Sequence, residues 1–157
     1  MSIRPAAAAD RAAVIDILRD TPEFAQVDFE VACELLDAYL HDVKRSGYWI
    51  NVAEWDGTLA GYACFGPTPL TDGVWDVYWV AVKRDLRKRG IGRALIDFVE
   101  GEVRRMGGRM LLIETSSTEP YQAARQMYLK MGYTIVAEIG DFYKKGDAKI
   151  VFQKKLQ

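Results

Sequence analysis

The sequence predicts one α/β (α+β) domain over residues 1–157, with about four helices flanking a mixed, mostly antiparallel sheet. A length of 157 residues, half of them hydrophobic, suits a single core. Apolar residues repeat at helical spacing in some segments and fall in short strand-like runs in others. A strand, a glycine-bearing turn and a helix follow one another in mid-chain, which favours a parallel strand pair there.

Two amphipathic helices and an antiparallel hairpin account for the first half of the chain. The first helix ends at Thr21-Pro22, and the second begins at Asp28, a residue type that suits an N-cap. Asp56-Gly57 forms the hairpin turn. The predicted elements cover residues 2–5 (strand), 6–20 and 28–46 (helices), and 48–55 and 59–65 (strands).

Two further helices alternate with strands in the second half. One begins at Gly90 and is closed by Gly107-Gly108, and the other is ended by Gly132. Each has one apolar stripe at helical spacing. The predicted elements cover residues 74–82 (strand), 90–106 (helix), 110–114 (strand), 120–131 (helix), and 133–138 and 149–154 (strands).

Charge is distributed unevenly along the chain, although the formal net charge is only -1. Residues 1–78 carry 5 basic and 13 acidic side chains, whereas residues 79–157 carry 16 and 9. A basic half suits a polyanionic ligand and an acidic half suits a cationic one, with solvated surface as the alternative for individual residues. No apolar run approaches the roughly 20 residues of a membrane span, and a signal-peptide layout is missing, so a cytoplasmic protein without a membrane partner is expected.

Nucleophile and metal-ligand candidates are few. Cys33 and Cys64 sit in apolar surroundings without metal-ligand spacing, which predicts buried thiols. His41 is the only histidine and lies on a predicted surface turn of the second helix, where it is expected to be solvated. The sequence therefore predicts no metal site.

The most informative segment runs from residue 80 to residue 95. A strand leads into a loop whose amides, with the first N–H groups of the next helix, point toward one place. The helix dipole attracts anions there, and Gly90 and Gly92 let a phosphate approach the backbone. The surrounding basic side chains are Arg87, Lys88, Arg89 and Arg93. This pattern predicts a diphosphate site.

Other phosphate-binding motifs fit this segment poorly. Gly92 is followed by Arg93-Ala94, whereas a nucleoside-triphosphate loop needs Lys and then Ser or Thr. A dinucleotide fingerprint needs three glycines after the first strand, and only two are present, in mid-chain. The basic cluster is confined to one loop without aromatic residues interleaved, so no nucleic-acid partner is expected.

Two motifs resemble those of the GNAT superfamily, the acetyl-CoA-dependent N-acetyltransferases. Residues 87–92, Arg-Lys-Arg-Gly-Ile-Gly, resemble the family's Arg/Gln-x-x-Gly-x-Gly/Ala diphosphate loop, and they follow the strand end Val-Ala-Val at residues 80–82. About 40 residues further along, residues 128–133, Tyr-Leu-Lys-Met-Gly-Tyr, resemble the family's Tyr-x-x-x-Gly-aromatic signature. The order of the predicted elements agrees with this family over nearly the whole chain.

This resemblance implies a sheet that splays between the strand ending at Val82 and the strand at residues 110–114. The pantetheine arm of acetyl-CoA is then expected in the gap, paired with the backbone of Val80 and Val82, with the amides of residues 87–92 on the diphosphate. The implied residues that bind acetyl-CoA are Val80, Ala81, Val82, Arg87, Lys88, Arg89, Gly90, Ile91, Gly92, Arg93 and Tyr121.

Acetyl transfer to an amine needs a base, a donor to the oxyanion and a proton for the leaving thiolate. The resemblance assigns Tyr128 as the general acid, with a purely structural core aromatic as the alternative. The backbone N–H of Val80 or Val82 is the expected oxyanion donor. Glu114, at the end of a buried strand, and Asp76, within an apolar strand, are rival general bases, and water without a dedicated side chain is the third option.

The acceptor is expected to bind between variable segments at residues 21–27, 66–73 and 140–147. These segments and their neighbours carry acidic and aromatic side chains, which favours a cationic amine, either small or borne by a peptide. The alternatives are a non-catalytic acyl-CoA-binding sensor, a longer acyl-CoA as donor, and a nucleic-acid-binding domain. The sequence does not determine the oligomeric state; a homodimer is one option, because dimers are common in this superfamily and the C-terminal strand is expected to be exposed.

Overall fold

The fold is built on one seven-stranded sheet. The computed structural model describes residues 1–156, and its strands lie side by side in the order β1-β2-β3-β4-β5-β7-β6. Their bounds are β1 (Ser2–Pro5), β2 (Trp49–Trp55), β3 (Thr58–Pro67), β4 (Val74–Val82), β5 (Met110–Ser116), β6 (Thr134–Lys144) and β7 (Asp147–Lys155). Only β4 and β5 pair in parallel. The predicted mixed and mostly antiparallel sheet is therefore confirmed.

Helices cover both faces of the sheet. They are α1 (Arg11–Arg19), α2 (Gln26–His41), α3 (Val43–Ser46), α4 (Ile91–Arg105) and α5 (Gln122–Lys130). The apolar faces of α1 and α2 form one buried cluster with β2, β3 and β4, whereas α4 and α5 belong to a second cluster that also contains β5 and β7. Within residues 1–156, none of the helices is long and apolar enough to cross a membrane.

The predicted helix over residues 28–46 is wrong at both ends. It begins earlier, at Gln26, and Asp28 is the third helical residue rather than the N-cap. The Asp28 carboxylate accepts a hydrogen bond of 2.8 Å from the amide of Ala25, the residue before the helix, and this bond stabilises the earlier start. It stops at His41, since Asp42 has extended backbone angles. The Asp42 carboxylate accepts hydrogen bonds from the Lys44 and Arg45 amides and so starts α3.

The C-terminal hairpin is longer than predicted. The sixth strand was expected to end at residue 138, yet β6 continues to Lys144. The register between β6 and β7 shifts between Ile139 and Lys144, where Asp141 has a φ of +53°. Pairing with β7 thus outweighs the local turn tendency of Gly140-Asp141. The residues of β6 between Ile139 and Lys144 that have no partner in β7 form an irregularity in the ladder, so the strand continues beyond them.

A buried carboxylate ties α4 to the sheet. Glu100 is 3% exposed, and Lys154 of β7 contacts both of its oxygens at 2.8 Å. Arg104 adds a contact of 3.2 Å to the same carboxylate. A buried charge is stable only when it is paired in this way. The network therefore fixes the orientation of α4, whose N-terminus forms part of the predicted diphosphate site.

Candidate active site

The gap in the sheet opens where β4 and β5 stop pairing. The two strands pair only from Val74 and Met110 to Val77 and Ile113, after which each continues without the other. A β-bulge lies at the same point, because Val77 pairs with Phe65 and Trp79 with Cys64, which leaves Tyr78 without a partner in β3. A bulge bends its strand, so it turns the end of β4 away from β5.

Two adjoining cavities of about 650 and about 350 Å³ occupy the gap and its mouth. They share the wall residues Val77, Tyr78, Trp79, Glu114 and Tyr143. The larger one reaches Val80 on β4, the segment before α5 and the loop between α1 and α2. The smaller one adds Asp76. All three predicted catalytic residues line this combined space, since Tyr128 and Glu114 belong to the larger cavity.

The free edge of β4 carries backbone groups toward the gap. The Lys83 amide donates to the Ala60 carbonyl of the neighbouring strand β3 at 2.8 Å. In an antiparallel ladder the backbone polar groups of every second residue point to the same side, so those of Ala81 also point toward β3. The polar backbone groups of Val80 and Val82 therefore point away from β3, as predicted for contacts to pantetheine. Ala81 differs from these two residues, because its backbone pairs with β3 and its side chain is buried under α1 and α2.

The loop before α4 presents a row of free backbone donors. Among the described residues, no acceptor takes a hydrogen bond from the amides of residues 88–93. Gly90 has a φ of +82° at the N-cap of α4, a conformation that side chains disfavour, and Lys88 also has a positive φ. The Ile91 side chain is buried, so only its amide is available. This arrangement fits an anion at the helix N-terminus.

Three of the four basic side chains around these amides have partners of their own, and Lys88 is the exception among the described residues. Arg87 binds both oxygens of Glu23, at 2.7 and 3.1 Å, which the sequence did not predict. Arg89 lies over the ring of Trp55 at 5.9 Å. Arg93 forms an exposed ion pair with Asp97, one turn further along α4, with 3.6 Å between Nε and Oδ2. The backbone amides, rather than free guanidinium groups, are therefore the main feature of the anion site.

Tyr128 lies at the inner end of the larger cavity. Its ring packs against Tyr133 and Phe152, and its side chain makes no hydrogen bond to any described residue. Burial raises the pKa of Tyr128 to about 12. The phenol therefore keeps its proton at neutral pH and has no protein acceptor competing for it, as a proton donor to sulfur requires.

The two candidate bases differ in their partners. Asp76 accepts a hydrogen bond from the Thr68 hydroxyl, and its pKa is raised because burial and the nearby charge of Glu114 outweigh this bond and the charge of Lys149. Glu114 is half exposed and is paired with Lys149 at 2.9 Å. Asp76 is thus the carboxylate without a cationic partner at hydrogen-bond distance. Thr68 and Lys149 were not singled out from the sequence, because only the fold brings them to these carboxylates.

The outer part of the larger cavity is acidic and aromatic. Glu23, Asp28 and Asp147 line it together with Tyr121 and Tyr143. Burial, followed by the nearby carboxylates of Asp28, Glu23 and Asp147, raises the pKa of Tyr121 to about 12. Six other acidic and aromatic side chains of the variable segments and their neighbours, predicted from the sequence to be near the acceptor, line neither cavity; they are Glu30, Asp72, Asp141, Phe29, Trp75 and Phe142.

Asp147 is held at the cavity wall by the end of β5. It is 7% exposed and accepts a hydrogen bond of 2.6 Å from the Ser116 hydroxyl. The Ser116 hydroxyl lies 2.7 Å from that of Thr118, so three polar side chains form a chain at the start of the segment before α5. Ser116 and Thr118 also line the cavity and were missed from the sequence, since isolated hydroxyl residues carry no motif.

Comparison with known proteins agrees with this geometry. The family model described as "Acetyltransferase (GNAT) family" matches residues 11–133. A solved structure of a GNAT-family protein from Desulfovibrio desulfuricans superposes on this chain with a TM-score of 0.94. The two sequences are 36% identical, and the match covers 99% of each chain.

Two curated relatives are more distant. The L-amino acid N-acyltransferase MnaT of Escherichia coli is 28% identical over 144 residues, which are 88% of this chain and 83% of that protein. The phosphinothricin N-acetyltransferase of Streptomyces viridochromogenes is 28% identical over 138 residues, 85% of this chain and 74% of that protein. These matches favour an enzyme over a non-catalytic sensor. The chain belongs to the GNAT family of acetyltransferases and transfers an acetyl group from acetyl-CoA to an amine.

Proposed function

We propose that this enzyme acetylates the primary amine of a cationic acceptor that enters through the outer, acidic part of the cavity. The observation that carries the proposal is the charge of the walls. Among the described lining residues there are five carboxylates and one lysine, Lys144. Glu23 and Glu114 are paired with Arg87 and Lys149, which leaves the carboxylates of Asp28, Asp76 and Asp147 without a cationic partner. Such walls lower the free energy of a cation relative to an anion.

The aromatic side chains of the same walls support a cationic acceptor. Tyr78, Trp79 and Tyr143 line both cavities beside the carboxylates. Ring faces attract ammonium groups, and the attraction grows when water is excluded. A free amino acid carries a carboxylate, which these walls would repel. We therefore expect the acceptor to differ from the L-amino acids that MnaT is named for.

Acetyl-CoA supplies an acetyl group that is activated as a thioester, and residues of three elements are arranged to hold it. The free amides of residues 88–93 suit its diphosphate, and the gap-facing backbone of Val80 and Val82 suits its pantetheine arm as a substitute for a missing strand. Tyr121 lines the same cavity beside α5. The site thus accounts for a donor that spans the gap from the α4 N-terminus to Tyr128.

The proposed reaction is a direct attack on the thioester. The acceptor nitrogen bonds to the carbonyl carbon, the C–S bond breaks, and the net movement of one proton is from nitrogen to sulfur. The Val80 N–H, which faces the gap, is the proposed donor to the carbonyl oxygen. Tyr128 gives its hydroxyl proton to the departing sulfur, and a base takes the proton from nitrogen. We assign the base to Asp76 in preference to Glu114, because Lys149 occupies one oxygen of Glu114.

A panel of acceptors tests the proposed substrate class. With acetyl-CoA as donor, alkyl diamines and lysine-bearing peptides are expected to give a kcat/KM at least about tenfold above that of neutral L-amino acids, measured by thiol release. Asp147→Asn should reduce this preference. Asp72→Asn is the matched control, because Asp72 is an exposed carboxylate outside the cavities. Turnover of L-amino acids alone would refute a cationic acceptor.

The pH dependence of kcat/KM distinguishes the two candidate bases. A base must be deprotonated, so the rate is expected to fall as the pH drops through the raised pKa of Asp76. Asp76→Asn should remove this acidic limb and lower kcat by about a hundredfold. Thr68→Val should move the limb to higher pH, because the hydroxyl bond to the ionised carboxylate is lost. If Glu114→Gln removes the limb and Asp76→Asn does not, Glu114 is the base.

The remaining expectations concern the organisation of the protein. A single acetyltransferase domain over residues 1–157, a cytoplasmic location and a homodimer stay predictions. The domain is supported by one sheet that contains strands from both ends of the chain. The homodimer is supported by β6, an edge strand that exposes Ile135, Val136 and Ile139.

A further inference from the structure

One ion pair joins the loop between α1 and α2, which lines the larger cavity, to the loop that precedes α4. We call residues 20–25, between α1 and α2, the acceptor loop, and residues 83–90 the diphosphate loop. Arg87 of the diphosphate loop donates from Nη1 and Nη2 to the two oxygens of Glu23 in the acceptor loop, at 2.7 and 3.1 Å. This is the bidentate geometry in which arginine binds carboxylates most strongly.

The pair is more than a contact between two solvated side chains. The Glu23 side chain is 16% exposed and that of Arg87 is 33% exposed. Burial alone would raise the pKa of Glu23, yet the hydrogen bonds of Arg87, a backbone hydrogen bond and the charges of Arg87 and Arg84 together hold the pKa below its usual range. The carboxylate is therefore ionised at neutral pH, and its charge faces the guanidinium.

Two weaker contacts accompany the ion pair. The Tyr121 hydroxyl donates to the Glu23 carbonyl at 3.0 Å, and the Arg84 amide donates to the Asp20 carboxylate at 3.4 Å. The acceptor loop is thus attached both to the diphosphate loop and to the segment before α5. Its residues Pro22, Glu23, Phe24 and Ala25 form one wall of the larger cavity.

The same arginine belongs to the loop that is predicted to bind the diphosphate. Arg87 directly precedes the free amides of residues 88–93. Three of its five N–H groups are engaged, two by Glu23 and one by the Val82 carbonyl at 3.3 Å. A diphosphate at these amides and the Glu23 carboxylate therefore both draw on the positive charge of Arg87, and each weakens the attraction of the other.

We propose that Glu23 is a positioning residue, which holds the acceptor loop over the cavity through Arg87 and thereby weakens the binding of acetyl-CoA. The proposal rests on the proposed function in one respect, since the free amides must bind the diphosphate. It predicts negative coupling between the acceptor loop and the donor site. By reciprocity, bound acetyl-CoA loosens the loop through which the acceptor enters.

The test is Glu23→Gln, which keeps the shape of the side chain and removes its charge. Acetyl-CoA is expected to bind about three- to tenfold more tightly by calorimetry, while the KM of the acceptor rises about tenfold. S-acetylpantetheine lacks the diphosphate, so its affinity should not change. Glu23→Asp keeps the charge and is expected to recover part of the acceptor KM.

The matched control is Asp85→Asn. Asp85 is an exposed carboxylate of the diphosphate loop for which no contact to Arg87 is found, so its loss should leave both constants within about twofold. Weaker or unchanged acetyl-CoA binding by Glu23→Gln overturns the proposal, as does an equal gain from Asp85→Asn. A gain that extends to S-acetylpantetheine also overturns it. If the unaltered enzyme does not bind acetyl-CoA, the assignment of the donor site fails first and takes the proposal with it.

Discussion

Tyr128→Phe is expected to lower kcat by about a hundredfold or more while acetyl-CoA binding stays within about twofold. The substitution removes one oxygen from a buried ring that lines the cavity and leaves its packing on Tyr133 and Phe152 in place. The departing thiolate then has no proton donor, whereas the contacts that hold the donor substrate remain. Single-turnover kinetics with calorimetric titration separate the two effects.

Tyr133→Phe is the matched control for this experiment. Tyr133 is also buried and touches Tyr128, but its hydroxyl lies near the Glu100 carboxylate without a hydrogen bond of acceptable geometry. Its removal should leave kcat unchanged. A Tyr128→Phe enzyme that retains more than about a third of kcat would make Tyr128 a core aromatic, the alternative that the sequence leaves open.

Gly92→Glu is expected to weaken acetyl-CoA binding by about a hundredfold or more. The new carboxylate would stand at the N-terminus of α4, where the amides of residues 88–93 are free and the helix dipole favours an anion. It would repel the diphosphate and compete with it for the same donors. Calorimetric titration with acetyl-CoA measures the loss directly.

Gly92→Ala separates charge from shape. A Cβ atom at this position would lie 3.7 Å from Val82 Cγ2 and 3.8 Å from Met127 Sδ, which are ordinary contacts. The alanine variant should therefore fold normally and lose less than about tenfold in affinity. Unchanged binding by the glutamate variant would show that the diphosphate lies elsewhere, and the loop would then have to be tested with other phosphorylated ligands.

Local patterns were sufficient for the order of elements and for the position of the diphosphate loop. Helix α4 repeats its buried residues at helical spacing and begins at Gly90, whose positive φ is a local property of the chain. The Arg87–Gly92 and Tyr128–Tyr133 motifs are also local, because each lies on one element or on its end. The sequence was therefore sufficient for the family resemblance, from which the residues that are predicted to bind acetyl-CoA were taken.

Contacts distant in sequence decided the rest. Glu23 and Arg87 are 64 residues apart, so the contact between the carboxylate and the guanidinium depends on how α1 and α4 pack against the sheet. The role of Ala81 depends on which side of β4 is paired, and no periodicity shows this. The continuation of β6 beyond residue 138 likewise depends on its pairing with β7.

The sequence by itself determined the order of strands and helices and the position of the glycine-bearing loop before α4, because hydrophobic period, capping and backbone freedom act within a few residues. Only the tertiary structure decided at which residues β4 and β5 stop pairing, which carboxylates have a cationic partner and which side chains line the cavities. These depend on the register of Phe65 with Val77 and on side chains such as Thr68 and Lys149 reaching neighbouring strands. The free energy of these contacts comes from pairs of residues that lie on different elements, so no short segment of the sequence contains both partners.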